Sequence, residues 1–218
     1  MRINDYNSLV QAISLYLARS DLNDSVDYLI SLAESRITYG SADATYPSPP
    51  LRIGAMRKIT EGETTVIHRG EAGLTLPAGL IEVCSISLRD GGYSPIALVD
   101  SADYLELATQ TGRPRVGSIV GDRLLLAPVA DRAYSLRLDY FERFQPLDAD
   151  NNNWLVENIP GLYLYGALLE AEPFLMHDER MMVWAALYSS LVRSVMQGEH
   201  SRRFGNRPIE SRVKGATP

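Results

Sequence analysis

The last third of the chain contains two stretches that are poor in charged residues and rich in aromatic ones. The first covers residues 153–171, and the second follows residues 178–180 and contains Trp184. Pro173 lies between them, and each stretch places apolar residues at helical spacing. Two helices with so little charge must bury most of their surface. They are typical of the paired walls of an assembly and not of the lining of a catalytic cleft.

The pattern predicts where these two helices begin and end. The first should start near Asn158, because Pro160 is tolerated in a first helical turn. The second should run over about residues 178–197. From Gly198 onward the chain lacks periodicity, so we expect an extended arm. The second helix aligns one apolar face, made of Met181, Trp184, Ala185, Tyr188, Leu191, Val192 and Val195.

The N-terminal part predicts another pair of helices. Residues 8–19 have helical periodicity, with Asp5 or Asn7 available as an N-cap. A second helix should begin after Asp24, which would cap it, and end at Gly40. The short link between them favours a helical hairpin. Residues 41–54 are rich in Pro and Gly and predict a linker.

The middle of the chain changes to a period of two. Short β-branched or alternating segments, separated by Gly, Asp and Pro, predict a small antiparallel sandwich or barrel. Cys84 alternates with residues that are predicted to face solvent, so we expect its small side chain to be buried. Residues 100–108 should form a short helix. The predicted strands cover residues 64–69, 81–88, 94–99, 116–120, 123–127 and 133–141.

The predicted fold class is therefore α+β. Segments from both ends of the chain form a four-helix bundle, an antiparallel β sandwich or barrel is inserted between them, and an extended C-terminal arm follows. The boundaries are residues 1–54 for the N-terminal hairpin and linker, 55–144 for the β module, 145–200 for the C-terminal helices and 201–218 for the arm.

Charge is unevenly distributed along the 218 residues, whose formal net charge is -6. Residues 201–218 hold five basic residues and one acidic residue, so the rest of the chain is acidic. Such a body binds nucleic acid poorly, because phosphate contacts need Lys and Arg. We expect no membrane span, since no stretch approaches the roughly 18 apolar residues that one requires. Cys84 is the only cysteine, which excludes an intramolecular disulfide and fits a reducing compartment.

Catalytic, cofactor and metal residues are predicted to be absent. No histidine has a second ligand at metal spacing, and no serine lies in a nucleophile elbow. The run from Asp148 to Asn153 begins like a calcium loop but lacks its Gly and its closing Glu, so a capped turn is favoured. Two carboxylates that meet only in the folded chain would leave no sequence signature. An enzyme therefore stays an open alternative to a non-enzymatic protein.

Several segments together resemble a known family. They are residues 6–13, 29–37, 76–82 and 121–128, and above all the string Tyr-Leu-Tyr-Gly-Ala-Leu-Leu-Glu-Ala at 163–171. The chain resembles the adaptor proteins of the head-to-tail connector of tailed phages, which lie directly beneath the portal. The resemblance implies a structural virion protein, assembled in the host cytoplasm as a ring, and specifically a dodecameric one. Its partners would be the portal and a downstream nozzle, tube or stopper protein, and DNA would pass through without specific binding.

The resemblance also assigns candidate contact residues. Arg202, Arg203, Phe204, Arg207, Pro208 and Ile209 combine charge with apolar anchors and are the candidate portal contact. A tail without fixed structure, or nonspecific nucleic-acid binding, are the alternatives for this arm.

Aromatic residues supply candidate contacts between subunits. These are Trp154, Tyr163 and Tyr165. The two tyrosines are two positions apart, so on a helix they cannot face the same core, and at least one must meet a loop, the β module or a neighbouring subunit. The alternative function is a soluble ligand- or glycan-binding module, in which the helices only support the β domain.

Overall fold

The computed structural model describes residues 2–43, 45–175 and 179–204. The chain divides into two compact units. The first is helical and contains the residues up to Gly54 and those from Gln145 onward. The second, residues Ala55–Phe144, contains the β-strands. The mixed α+β class is therefore confirmed, whereas the four-helix bundle stays a prediction.

Helices make up nearly all of the regular structure in the first unit. A short 3-10 helix, Ser20–Ser25, accompanies the α-helices, and a second, Gly54–Met56, begins at the last residue of this part of the unit and continues into the second unit. The α-helices are α1 (Tyr6–Leu17), α2 (Val26–Tyr39), α4 (Trp154–Asn158), α5 (Pro160–Glu170), α6 (Glu172–Leu175) and α7 (Arg180–Phe204), and α3 (Ser101–Ala108) belongs to the second unit.

The ends of the N-terminal helices follow from local hydrogen bonds. Asp5 caps α1, because its carboxylate accepts from the Ser8 amide at 2.8 Å while the Ser8 hydroxyl accepts from the Asp5 amide. Gly40 ends α2 with a positive φ of 77°. The prediction that Asp24 caps α2 is wrong. The chain forms a 3-10 helix through this link, so the N-cap position falls on Ser25, which makes no side-chain cap bond.

Helix α5 is the centre of the helical unit. It contacts α1, α2, α4 and α7, and Pro160 occupies its first turn as predicted. Its side chains are buried on nearly all sides. Gly166 lets α2 come close, since a Cβ there would lie 3.1 Å from the Cβ of Ala33. The packing of this unit therefore depends on one helix that exposes almost nothing.

Helix α7 is longer than predicted. It continues through Gly198 to Phe204, so the prediction of an extended arm from Gly198 is wrong for residues 198–204. A glycine inside a helix costs only about 1 kcal/mol, and the residues after it sustain helix. The carboxylate of Glu199 also accepts from the backbone amide of Gly54 at 2.9 Å, which ties this part of α7 to its unit.

A single curled sheet dominates the second unit and forms a half-barrel. Its order is β1-β9-β3-β4-β6-β7-β2, with a separate pair β5-β8. The strands are β1 (Arg57–Ile67), β2 (Gly73–Thr75), β3 (Leu80–Arg89), β4 (Tyr93–Leu98), β5 (Thr111–Gly112), β6 (Val116–Val120), β7 (Arg123–Ala127), β8 (Val129–Ala130) and β9 (Tyr134–Glu142).

The sheet is not purely antiparallel, which corrects the prediction. Strands β4 and β6 pair in parallel, as do β5 and β8. A parallel pair needs a crossover, and between β4 and β6 that crossover contains α3. Helix α3 is the one predicted at residues 100–108, and the Asp100 carboxylate caps it by accepting from the amides of Ala102 and Asp103.

The core of this unit confirms the predicted alternation along β3, with one exception. Ile86 and Leu88 are buried, and Arg89 is exposed. Cys84, however, is exposed, so its predicted burial is wrong. The pairing of β3 with β9 shifts register between Val83 and Ser85, which places Cys84 at an irregularity. The extra residue of a bulge interrupts the alternation of faces.

Candidate interaction surfaces

A buried polar network connects the start of the C-terminal helices to α2. The side-chain oxygen Oδ1 of Asn153 accepts from the backbone amides of Leu155 and Val156 and thereby caps α4. The side-chain nitrogen Nδ2 of Asn153 donates to the Tyr163 hydroxyl at 2.7 Å, and that hydroxyl donates to Glu34 Oε1 at 3.0 Å. Burial, together with the Glu34 charge, raises the pKa of Tyr163. The hydroxyl therefore stays protonated as a donor.

The three aromatic candidates differ in how much of each side chain is exposed. Tyr163 is only 1% exposed, so its side chain belongs to the core of the helical unit and is not at a surface. Tyr165 is half-buried, and burial with its contact to Tyr16 raises its pKa. Trp154 is 40% exposed. Among the described residues, Trp154 and Tyr165 thus keep part of their side-chain surface exposed, whereas Tyr163 does not.

The arm candidates divide at the end of α7. Arg202, Arg203 and Phe204 form its last residues. Arg207, Pro208 and Ile209 lie outside the described residues. The candidate portal contact therefore begins on a helix and not in an extended arm, and its role stays a prediction.

A second exposed surface, which is apolar and lies on the outer side of α7, was not predicted from the sequence. Met181, Trp184, Tyr188 and Val192 face the core as predicted, each less than 5% exposed. On the opposite side, Met182, Val183 and Leu187 are exposed by 73%, 58% and 40%. Residues 181–192 carry no charge, which indicates apolar surface on every side of the helix. The prediction from the sequence included only the side that faces the core.

Other elements adjoin the start of α7. The Arg180 guanidinium lies over the Trp184 ring, 5.1 Å from its centroid, and donates to the Tyr16 carbonyl at 2.9 Å. Arg19 donates to the carbonyl of Phe174 at 2.7 Å. The first of these bonds joins the end of α1 to the first turn of α7, and the second joins the segment just after α1 to α6.

The β unit contains a groove relevant to the alternative function. Its volume is about 280 Å³, and residues of β1, β2 and β9 line it. The Thr65 hydroxyl donates to the Leu136 carbonyl at 2.7 Å, and the Thr60 hydroxyl lies 3.2 Å from that of Tyr140. Because these lining hydroxyls already have partners in the chain, the groove offers a ligand mainly apolar surface.

The run after Asp148 forms a capped turn. The Asp148 carboxylate accepts from the amides of Asp150 and Asn151 and from the Asn151 side chain, and these bonds lower its pKa. The capped-turn interpretation is confirmed. Across the described residues, no three His, Cys, Asp or Glu side chains come together as a metal site. Within the same residues, no helix has the length and apolar character to cross a membrane.

Among the described residues, α7 exposes apolar side chains, as surfaces that contact other proteins often do. A family model described as SU10 adaptor protein matches residues 4–212. The match covers nearly the whole chain, so the protein belongs to the SU10 adaptor protein family, a family of phage head-tail adaptors.

Membership in this family confirms the resemblance to phage head-to-tail adaptors that the sequence indicated. It implies a structural role in the virion and interaction with phage portal and tail proteins. The family is not an enzyme class. A search of curated proteins finds no match to this chain.

Proposed function

We propose that this protein assembles as a ring beneath the portal vertex, where it joins the portal to the tail and seals the DNA channel. The family match over residues 4–212 is the observation that carries the proposal. A ring of many copies, of which a dodecamer is the expected form, multiplies one modest contact into a firm attachment. Assembly takes place in the host cytoplasm.

The helical unit is the proposed wall of the ring. Its central helix α5 is buried on nearly all sides, so the unit presents a defined shape to its neighbours. Trp154 and Tyr165 are the proposed aromatic contacts between subunits, and Tyr163 supports them from the core. The β unit would lie toward the outer or tail side, where it meets the downstream nozzle, tube or stopper protein.

The portal contact is proposed for the end of α7 and the residues that follow it. Arg202, Arg203 and Phe204 would contribute from the helix, followed by Arg207, Pro208 and Ile209. Basic side chains on an acidic body give each copy one region that can pair with acidic groups of the portal. The apolar members would anchor it.

Truncation after Phe204 tests this contact without shortening α7. The truncated protein loses Arg207, Pro208 and Ile209, and we expect its affinity for the cognate portal to fall at least about tenfold, since charged and apolar anchors are removed together. Mass photometry of protein mixed with portal measures the bound copies. The double substitution Arg202→Glu and Arg203→Glu in the full chain should weaken binding as well.

The shape of the far-ultraviolet circular dichroism spectrum controls for folding, and the truncated protein should keep its helical signal. Unchanged portal binding by the truncated protein and by the double variant would show that this segment is not the portal contact.

The groove in the β unit supports a second candidate function, a ligand-binding module. Its volume suits a small apolar ligand better than a glycan, because at least two lining hydroxyls are already engaged. A saturable response to such a ligand in the full chain, lost on Leu74→Trp, would favour this function over the adaptor role.

A further inference from the structure

Strand β1 lies at one edge of the seven-stranded sheet, and within the described residues it pairs with β9 alone. The direction of its backbone groups follows from that pairing. The Leu136 carbonyl of β9 points toward β1, where it accepts from the Thr65 hydroxyl at 2.7 Å. Backbone groups alternate in direction along a strand, so the Leu138 carbonyl, opposite Thr60, also points toward β1. The amide and carbonyl of Ile59, one position earlier, therefore point away from the sheet.

This edge has features that favour pairing with another sheet. β1 spans 11 residues, about twice the mean length of a strand. An exposed strand edge offers a row of unpaired backbone groups to any other chain. Ile59 adds apolar surface to this row, since its side chain is 53% exposed. A straight edge of this length would be a site of association between copies.

A bulge interrupts β1 in its middle. The pairing of β1 with β9 shifts register between Glu61 and Val66. Four residues of β1, at 62–65, lie between these two positions, whereas β9 has only Leu136 there. β1 thus holds three residues more than regular pairing would place there. A bulge bends its strand and interrupts the ladder. The regular edge before it covers only residues 57–61.

Hydrogen bonds within the bulge hold it in place. The Thr65 hydroxyl accepts from the Gly62 amide at 3.1 Å and donates to the Leu136 carbonyl, as a backbone amide would in a regular strand. Because Thr65 is only 2% exposed, these bonds lie away from water. Gly62 has a φ of 127°, which residues with a side chain rarely adopt. The sequence therefore stabilises the interruption of β1.

Charged side chains also lie along the regular part of the edge. They are Arg57, Lys58 and Glu61. The Arg57 guanidinium donates to Asp139 at 2.6 Å. Glu61 accepts from Arg89 at 3.0 Å. Charge on an edge strand disfavours pairing with another sheet, but ion pairs within the sheet neutralise two of these three groups. The bulge is then the stronger obstacle.

We propose that the bulge at residues 62–65 protects the free edge of β1 and keeps the β unit of one copy from pairing edge to edge with that of another. Where many copies gather, the local concentration is high, and a straight open edge would join their sheets. The inference goes beyond the proposed function and does not depend on it, because the edge and its bulge belong to every single copy.

The test removes the extra residues. Deletion of residues 62–64 places Thr65 opposite Leu136 and restores one-to-one pairing with β9. It also keeps Ile67 on the buried side, since faces alternate along a strand. Sedimentation velocity of the full chain, without other proteins, measures oligomers, and far-ultraviolet circular dichroism measures folding.

We expect the deletion variant to stay folded and to form at least about tenfold more oligomer than the wild type at equal concentration. Adding Ile59→Pro to the deletion should reverse this. Proline removes the outward amide of Ile59 and costs no bond to β9. The double variant Lys58→Thr and Glu61→Thr, which keeps the bulge, should sediment like the wild type.

Three results would overturn the inference. The first is a deletion variant that sediments like the wild type, and the second is oligomer that persists when Ile59→Pro is added. The third is oligomer in the Lys58→Thr and Glu61→Thr variant, which would assign the protection to the charges. Loss of the folded signal in the deletion variant would overturn it as well, because the extra residues would then serve the fold of the sheet.

Discussion

Single residues in this protein are fixed by partners that lie far away in the sequence. Tyr163 bonds to Asn153, ten positions before it, and to Glu34, 129 positions before it. Helical spacing predicts that Tyr163 and Tyr165 face different sides, but it does not reveal which of them finds a buried carboxylate. Cys84 is a similar case, because only the register of β3 against β9 shows that its side chain is exposed.

The Tyr163→Phe substitution tests the buried network. It removes the hydroxyl that accepts from Asn153 and donates to Glu34, and it leaves both groups short of one buried partner. We expect a loss of about 1–3 kcal/mol in the free energy of unfolding. Thermal denaturation followed by circular dichroism measures it.

Tyr28→Phe is the matched control, since Tyr28 is 60% exposed, and it should leave the melting temperature nearly unchanged. Equal melting temperatures for the two variants would show that the network contributes nothing to stability.

Individual elements were largely predictable, and the misses have two separate causes. Apolar periodicity and caps identify α1, α2, α5 and the start of α7, because these signals are local. The edge strand β1 begins at Arg57 and not at the predicted residue 64, since charged residues such as Lys58 and Glu61 suit a sheet edge but conceal the strand signal. Strand order and the parallel β4–β6 pair depend on contacts between distant segments, and no local pattern encodes them.

An ion pair joins α2 to α5, two helices that pack against each other. Arg36 Nε lies 2.5 Å from Glu170 Oε1, and its guanidinium also donates to the Tyr46 carbonyl at 3.0 Å. Arg36 is 8% exposed and Glu170 20%. Removing one partner leaves a mostly buried charge, so we expect Glu170→Ala to cost roughly 2–3 kcal/mol after allowance for the exposed part of Glu170.

The double variant Arg36→Met and Glu170→Leu supplies the comparison. It removes both charges and should be less destabilised than Glu170→Ala alone, as chemical denaturation would measure. A double variant that is destabilised as much as Glu170→Ala, or more, would mean that the ion pair does not couple α2 to α5.

The whole molecule combines an acidic body with a basic C-terminal segment, and this balance predicts weak binding to DNA. At physiological salt we expect a Kd for duplex DNA of about 10⁻⁴ M or weaker, and a further loss when salt rises from about 50 to 200 mM. Fluorescence anisotropy with a labelled duplex measures both. Truncation after Phe204, which removes Arg207, Arg212 and Lys214, should abolish what binding remains. Tight binding that resists salt would argue against a channel through which DNA passes freely.

The central claim is that this member of the SU10 adaptor protein family forms a ring on the portal. Negative-stain imaging of the protein with its cognate portal, beside the protein alone, tests it most directly. We expect monomers or weak oligomers without portal, and a ring capping the portal when the two are mixed, with a symmetry that can be counted. Free protein beside bare portals would contradict the account. The groove of the β unit would then be the favoured functional site.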